Sequence, residues 1–158
     1  MLCQPGPLGL RPKDAVLDGQ SAKVVAKECE RLLASNPFDL IGVHWSEHPD
    51  LIKEKYERRK ERFAPSSKKA QLSPELATQV RNELEKAHSV LADRAGRKKV
   101  RETLTSIDVK AAAHIMAKHA ELASLRDDAL TVKRCLEMAM ELYPTTEHQN
   151  MIQRLLKK

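Results

Sequence analysis

Residues 37–66 read PFDLIGVHWSEHPDLIKEKYERRKERFAPS, and this stretch decides the fold. Pro37 to Val43 places Phe38, Leu40 and Ile41 within one turn or two, and Gly42 offers a C-terminal stop, so a short helix is expected there. His48-Pro49-Asp50 reads as a second helix start, with proline at the first helical position and an acid in the first turn. From Pro49 to Phe63 the apolar residues Ile52, Tyr56 and Phe63 are spaced four and seven apart, along one side of a helix. The remaining faces carry Lys53, Lys55, Arg58, Arg59, Lys60 and Arg62, interleaved with Glu54, Glu57 and Glu61.

Upstream, residues 1–20 hold Pro5, Pro7 and Pro12 with Gly6 and Gly9, and offer little to bury, which predicts a disordered tail. Residues 21–36 form a separate N-terminal helix in this reading, capped by Ser21, with Val24, Val25, Cys29, Leu32 and Leu33 near a 3.6 period. Asn36-Pro37 ends it, because the residue before proline is pushed out of the α region.

Downstream, Ala64 to Gln71 reads as a loop. Ser73-Pro74-Glu75 then supplies a cap, a first-turn proline and an acid matched to the helix dipole. The helix that follows carries Leu76, Val80, Leu84, Ala87 and Leu91 on one face, the cleanest core stripe in the chain. Asp93 opens a basic helix to Leu104, in which Arg94, Arg97, Lys98, Lys99 and Arg101 surround Val100. Val109 to Leu125 is alanine-rich, Asp127-Asp128 turns the chain, and Val132, Leu136, Ala139 and Leu142 line one side of the next helix. Pro144 stops that helix, and Thr146-Glu147 begins a last one with Met151, Ile152, Leu155 and Leu156. No stretch alternates in the manner of a half-buried strand, so the chain is expected to be all-α.

Composition narrows the function classes. The net charge is +6 over 158 residues, with most of the surplus in 37–104, where 15 Lys and Arg face 11 Asp and Glu. Cys3, Cys29 and Cys135 are far apart and form no Cys-x-x-Cys or Cys/His ligand spacing, which argues against a disulfide framework or zinc site and for a reducing, cytoplasmic setting. No window approaches the roughly 18 apolar residues of a membrane span, and the N-terminus lacks a leader pattern, so a soluble chain is expected. His44 and His48 have no third ligand in view. With five glycines and no phosphate loop or nucleophile motif, neither catalysis nor a cofactor is indicated.

The order short helix, basic helix, proline-containing loop, long helix, basic helix resembles a J-domain, the co-chaperone module. Phe38-Asp39-Leu40-Ile41-Gly42-Val43, Ile52-Lys53 with Tyr56, and Ala87-His88 through Val90-Leu91-Ala92-Asp93 carry the likeness, which covers residues 37–104. It implies an antiparallel helical domain whose basic helix docks a heat-shock chaperone ATPase through Lys53, Tyr56, Arg58 and the following loop. In that family the stimulatory His-Pro-Asp sits in the loop after the aromatic matched here by Phe63, where this chain has Ala64-Pro65-Ser66. His48-Pro49-Asp50 lies 16 residues earlier and is read as a helix start. Glu57 stands where a further basic residue is usual. Arg59 stands where a core-facing leucine is usual, so its stem must snorkel or packing must shift.

Residues 105–158 resemble a tetratricopeptide-like helical hairpin plus a capping helix. Met116, Ala120, Leu136, Ala139, Leu142 and Pro144 fall at matching offsets, although His119 and Ala123 depart from the pattern. A lone unit cannot close its own hydrophobic face. It is expected to rest on the first domain, on the last helix or on another chain.

Together these features imply a non-catalytic protein-interaction module without ATPase stimulation. A chaperone-docking adaptor that keeps its basic helix is the alternative, and a nucleic-acid binder using Arg94, Arg97, Lys98, Lys99 and Arg101 is a second. Against both stands the bland reading, that a charge run on a helix is a solvated face.

Overall fold

The structure, a computed structural model, describes residues 22–64 and 73–157. Among them are eight helices and no strands: α1 (Ala22–Leu33), α2 (Pro37–Ile41), α3 (Pro49–Arg62), α4 (Pro74–Ala92), α5 (Arg94–Thr103), α6 (Val109–Ser124), α7 (Ala129–Leu142) and α8 (Thr146–Leu156). The all-α expectation is met. The expected tail over 1–20, the Ser21 cap and most of the 64–71 loop lie outside the described residues.

Helix starts follow local chemistry. Asn36 Oδ1 accepts from the Asp39 N–H at 3.1 Å, Ser73 Oγ from Leu76 N–H at 3.3 Å, Asp93 Oδ2 from Gly96 N–H at 3.2 Å and Asp128 Oδ1 from Thr131 N–H at 3.1 Å. Each satisfies one of the donors that a helix leaves unpaired in its first turn. α2 ends on Gly42, whose φ of 86° is reached cheaply without a Cβ. α8 is capped by Thr145 rather than started by Thr146-Glu147 alone.

The first core gathers Cys29 and Leu32 of α1, Phe38, Leu40 and Ile41 of α2, Ile52 and Tyr56 of α3, Val80, Leu84, Ala87 and Leu91 of α4, and Val100 of α5, with Val43 and Phe63 from the links. The α4 stripe is therefore the spine against which α1, α2, α3 and α5 rest. α3 and α4 run antiparallel, since Tyr56 stacks on His88 at a ring-centroid distance of 4.1 Å and Lys60 reaches Glu85 at 3.2 Å. Val24, counted with the apolar face of α1, is instead largely exposed.

Small residues build the second half. Ala113, Ala117, Ala120 and Ala123 let α6 lie close along α7, filled from the other side by Val132, Leu136, Met138, Ala139 and Leu142. α8 closes the face with Met151. Edge-on contact of His114 with His148 and an ion pair from Arg154 to Glu121 at 3.3 Å advance together along both chains, so α8 runs parallel to α6.

Candidate functional site

α3 presents its basic face because Ile52 and Tyr56 turn toward α4, leaving Lys53, Lys55 and Arg58 exposed. Arg58 is paired along the helix with Glu54 at 2.6 Å. Tyr56 is buried, so it supports this face from beneath and adds nothing to its surface. Lys60 lies over the Tyr56 ring, and hydrogen bonds to Tyr56 and then Glu85 raise its pKa above the ordinary lysine value. Ala64 follows the helix, half-buried, its N–H donating to Glu61 O at 3.1 Å. Pro65 and Ser66 lie outside the described residues.

Arg59 resolves its clash with the expected leucine by leaving the core for the end of α2. Its guanidinium donates to the carbonyls of Asp39 and Leu40, the exposed acceptors at a helix C-terminus, where a cation is also favoured by the dipole. Burial, with like charge from Arg62, holds its pKa below the ordinary arginine value. Gly42 makes room for it, because a Cβ there would stand 3.0 Å from the guanidinium.

His48-Pro49-Asp50 is a helix start, and it is also something the sequence did not disclose. His48 Nδ1 accepts from the Asp50 N–H at 3.2 Å, so the ring proton belongs on Nε2, which donates to Glu137 Oε2 of α7 at 2.7 Å. The tripeptide is thereby seated on the C-terminal hairpin, with Arg134 reaching Asp50 at 3.5 Å.

Beside it lies a larger junction. Arg97 and Arg101 of α5 are 4% and 6% exposed, and both converge on Glu141 of α7. Arg97 binds the carboxylate through both oxygens, at 2.7 and 2.8 Å, and spends its remaining nitrogen on the carbonyls of Leu91 and Ala92. Arg101 donates to Glu141 Oε1 at 2.8 Å and to Trp45 O at 2.8 Å, with its guanidinium over the Phe38 ring. Arg94 donates to Met140 O. Burial by itself would raise the Glu141 carboxyl, but hydrogen bonds and charge from Arg97 and Arg101 hold it below the ordinary glutamate value. Trp45 packs against both the first core and the Ala113, Met138 and Leu142 cluster.

Two of the five residues considered for a nucleic-acid face, Arg97 and Arg101, are buried in this seam, while Arg94, Lys98 and Lys99 remain exposed. The signal that could have found the seam is the spacing of Arg134, Glu137 and Glu141, three and four apart on the side of α7 opposite its core stripe, matched by Arg97 and Arg101 four apart on α5. His44 binds Ser46, and no group of three or more metal-ligating side chains occurs among the described residues. Likewise, no described helix is long and apolar enough to cross a membrane. No family model, curated protein or solved structure matches the chain.

Proposed function

We propose that the chain is a non-catalytic protein-interaction module of J-domain-like build, extended by a tetratricopeptide-like hairpin, that binds a protein partner without stimulating a chaperone ATPase. The observation that carries this is the fate of His48-Pro49-Asp50. Its histidine is buried, occupied by the Asp50 N–H on one side and Glu137 on the other, so it is not displayed to a partner, although Asp50 itself stays exposed. At the position after α3 where the family shows that tripeptide, the chain has Ala64-Pro65-Ser66. The short α2, the antiparallel α3 and α4 and the following α5 support the J-like reading. The close α6/α7 pair with parallel α8 supports the hairpin reading.

Docking of a heat-shock chaperone through Lys53 and Arg58 is the second reading, favoured by their exposure. Nucleic-acid binding through α5 has less support, since two of its five cations, Arg97 and Arg101, are buried within the fold. A reducing, cytoplasmic setting fits the free thiols of Cys29 and Cys135, each pushed up by burial and thus poorly nucleophilic.

The test is a chaperone ATPase assay with purified protein. No stimulation is expected, and none is expected to be lost in His48→Gln. Stimulation by the native chain that disappears in His48→Gln or Asp50→Asn would overturn the proposal. Gain of stimulation on Ala64→His with Ser66→Asp would identify the scaffold as J-like.

A further inference from the structure

A cleft of about 320 Å³ opens where α2, the link before α3 and the link from α5 to α6 meet. Phe38 and Trp45 line it together with His44, whose ring centroid lies 4.9 Å from that of Trp45, and the exposed Thr103 and Thr105 add hydroxyls. His44 Nδ1 accepts from the Ser46 N–H at 3.3 Å and from its Oγ at 2.6 Å, so the ring proton belongs on Nε2. The volume stands at the lower end of the range for ligand sites, about 300–1,000 Å³. It has room for one side chain and not for a helix.

Charge narrows the occupant. Asp39 is the one carboxylate on the cleft, and no lysine or arginine lines it. Its Oδ2 accepts from the Asn36 amide at 2.7 Å, a neutral donor, and no ion pair reaches it among the described residues. Arg59 comes only to the Asp39 carbonyl, and Arg101, behind Phe38, is spent on Glu141 and Trp45 O. A chain of net charge +6 thus leaves this exposed carboxylate uncompensated beside three aromatic rings. Ring faces attract cations and a carboxylate pairs with them. A guanidinium suits both at once, because it is planar, stacks on aromatic faces and offers a carboxylate two N–H groups, which an ammonium does not. Described helices lead away from the cleft toward the chain outside them, α1 over 12 residues to Ala22 and α3 over 14 to Arg62, about 18 and 21 Å of helix.

We infer that the cleft lined by Trp45 and Asp39 receives an arginine side chain presented by a partner protein. This names a partner chemistry for the protein-interaction reading and rests on that reading, which the ATPase assay tests separately. Trp45 is the only tryptophan of the chain, so its fluorescence reports occupancy directly. The experiment titrates the full chain with a blocked glycine-arginine-glycine peptide, and with the same peptide carrying citrulline, the uncharged analogue of arginine. The arginine peptide is expected to change Trp45 emission saturably and the citrulline peptide not. Asp39→Asn, with helicity unchanged by circular dichroism, should weaken binding on the order of tenfold. Thr105→Lys, which sets a cation at an exposed position of the lining, should abolish it. No saturable response to arginine, an equal response to citrulline, or indifference to both Asp39→Asn and Thr105→Lys overturns the inference. So does a gain in affinity for the arginine peptide in Arg11→Gln with Lys13→Gln, which would assign the cleft to a cation of this chain.

Discussion

At the scale of single residues, Glu141 carries the most consequence. It is the carboxylate between two buried guanidiniums, and removing one member of a buried ionic group leaves the others uncompensated. Glu141→Ala is therefore expected to weaken the seam by about 3–5 kcal/mol, read as an earlier urea transition of the hairpin, with Glu141→Gln between it and the native protein. The same site sets an acid limit. A carboxyl whose folded pKa is depressed stabilises the fold above its unfolded value and loses that contribution as pH falls through the folded one. Stability should accordingly decline as pH drops below the ordinary glutamate value of 4.5, and Glu141→Gln should flatten that decline in denaturation curves taken across the acid range. Gly96 is a second sharp point. A Cβ there would meet Val90 O at 2.0 Å, so Gly96→Ala should cost at least the roughly 1–3 kcal/mol of overpacking, despite alanine's better helix propensity. Thermal unfolding of this variant reads the sign directly.

Among elements, α4 and α6 show how one residue type takes opposite roles. Leu84 is fully buried in the α4 spine, where four other helices rest, while Leu122 stands in solvent on α6. Leu84→Ala should cost about 2–5 kcal/mol and Leu122→Ala no more than about 0.5 kcal/mol, measured side by side by urea denaturation. Caps at Ser73 and Asp93 were readable because each satisfies its own helix within three residues, whereas Asn36, read as the end of α1, and Asp128, read as a turn, also prove to be caps. The α4 stripe was readable because burial repeats with the helical period. Arg59 was readable as a misfit but not as a solution, since its acceptors lie about twenty residues earlier, at the end of another helix.

For the whole molecule, the two halves are joined by one aromatic residue, a buried ionic junction and the His48–Glu137 contact. Because Trp45 packs on both cores, its fluorescence and far-ultraviolet circular dichroism should report one coincident urea transition. In Glu141→Ala the two probes should separate, as the hairpin lets go before the α4-centred core melts. Coincident transitions in that variant would show that the junction does not couple the halves. The same junction withdraws Arg97 and Arg101 from any external partner, whereas Lys53, Lys55 and Arg58 on α3 and Arg94, Lys98 and Lys99 on α5 stay exposed.

Helical character, most helix starts, the α4 stripe and the alanine-rich face of α6 follow from the sequence alone, because each depends on residues within a turn or two of one another. The seam did not. An arginine at i and i+4 on a basic helix looks the same whether it faces water or a carboxylate 40 or 44 residues downstream, and only the approach of α7 to α5 removes the water that would otherwise screen it. The opening stretch has the same division: its spacing makes His48-Pro49-Asp50 a helix start, whereas the burial of His48 against Glu137 is decided by how the hairpin lies on the first core.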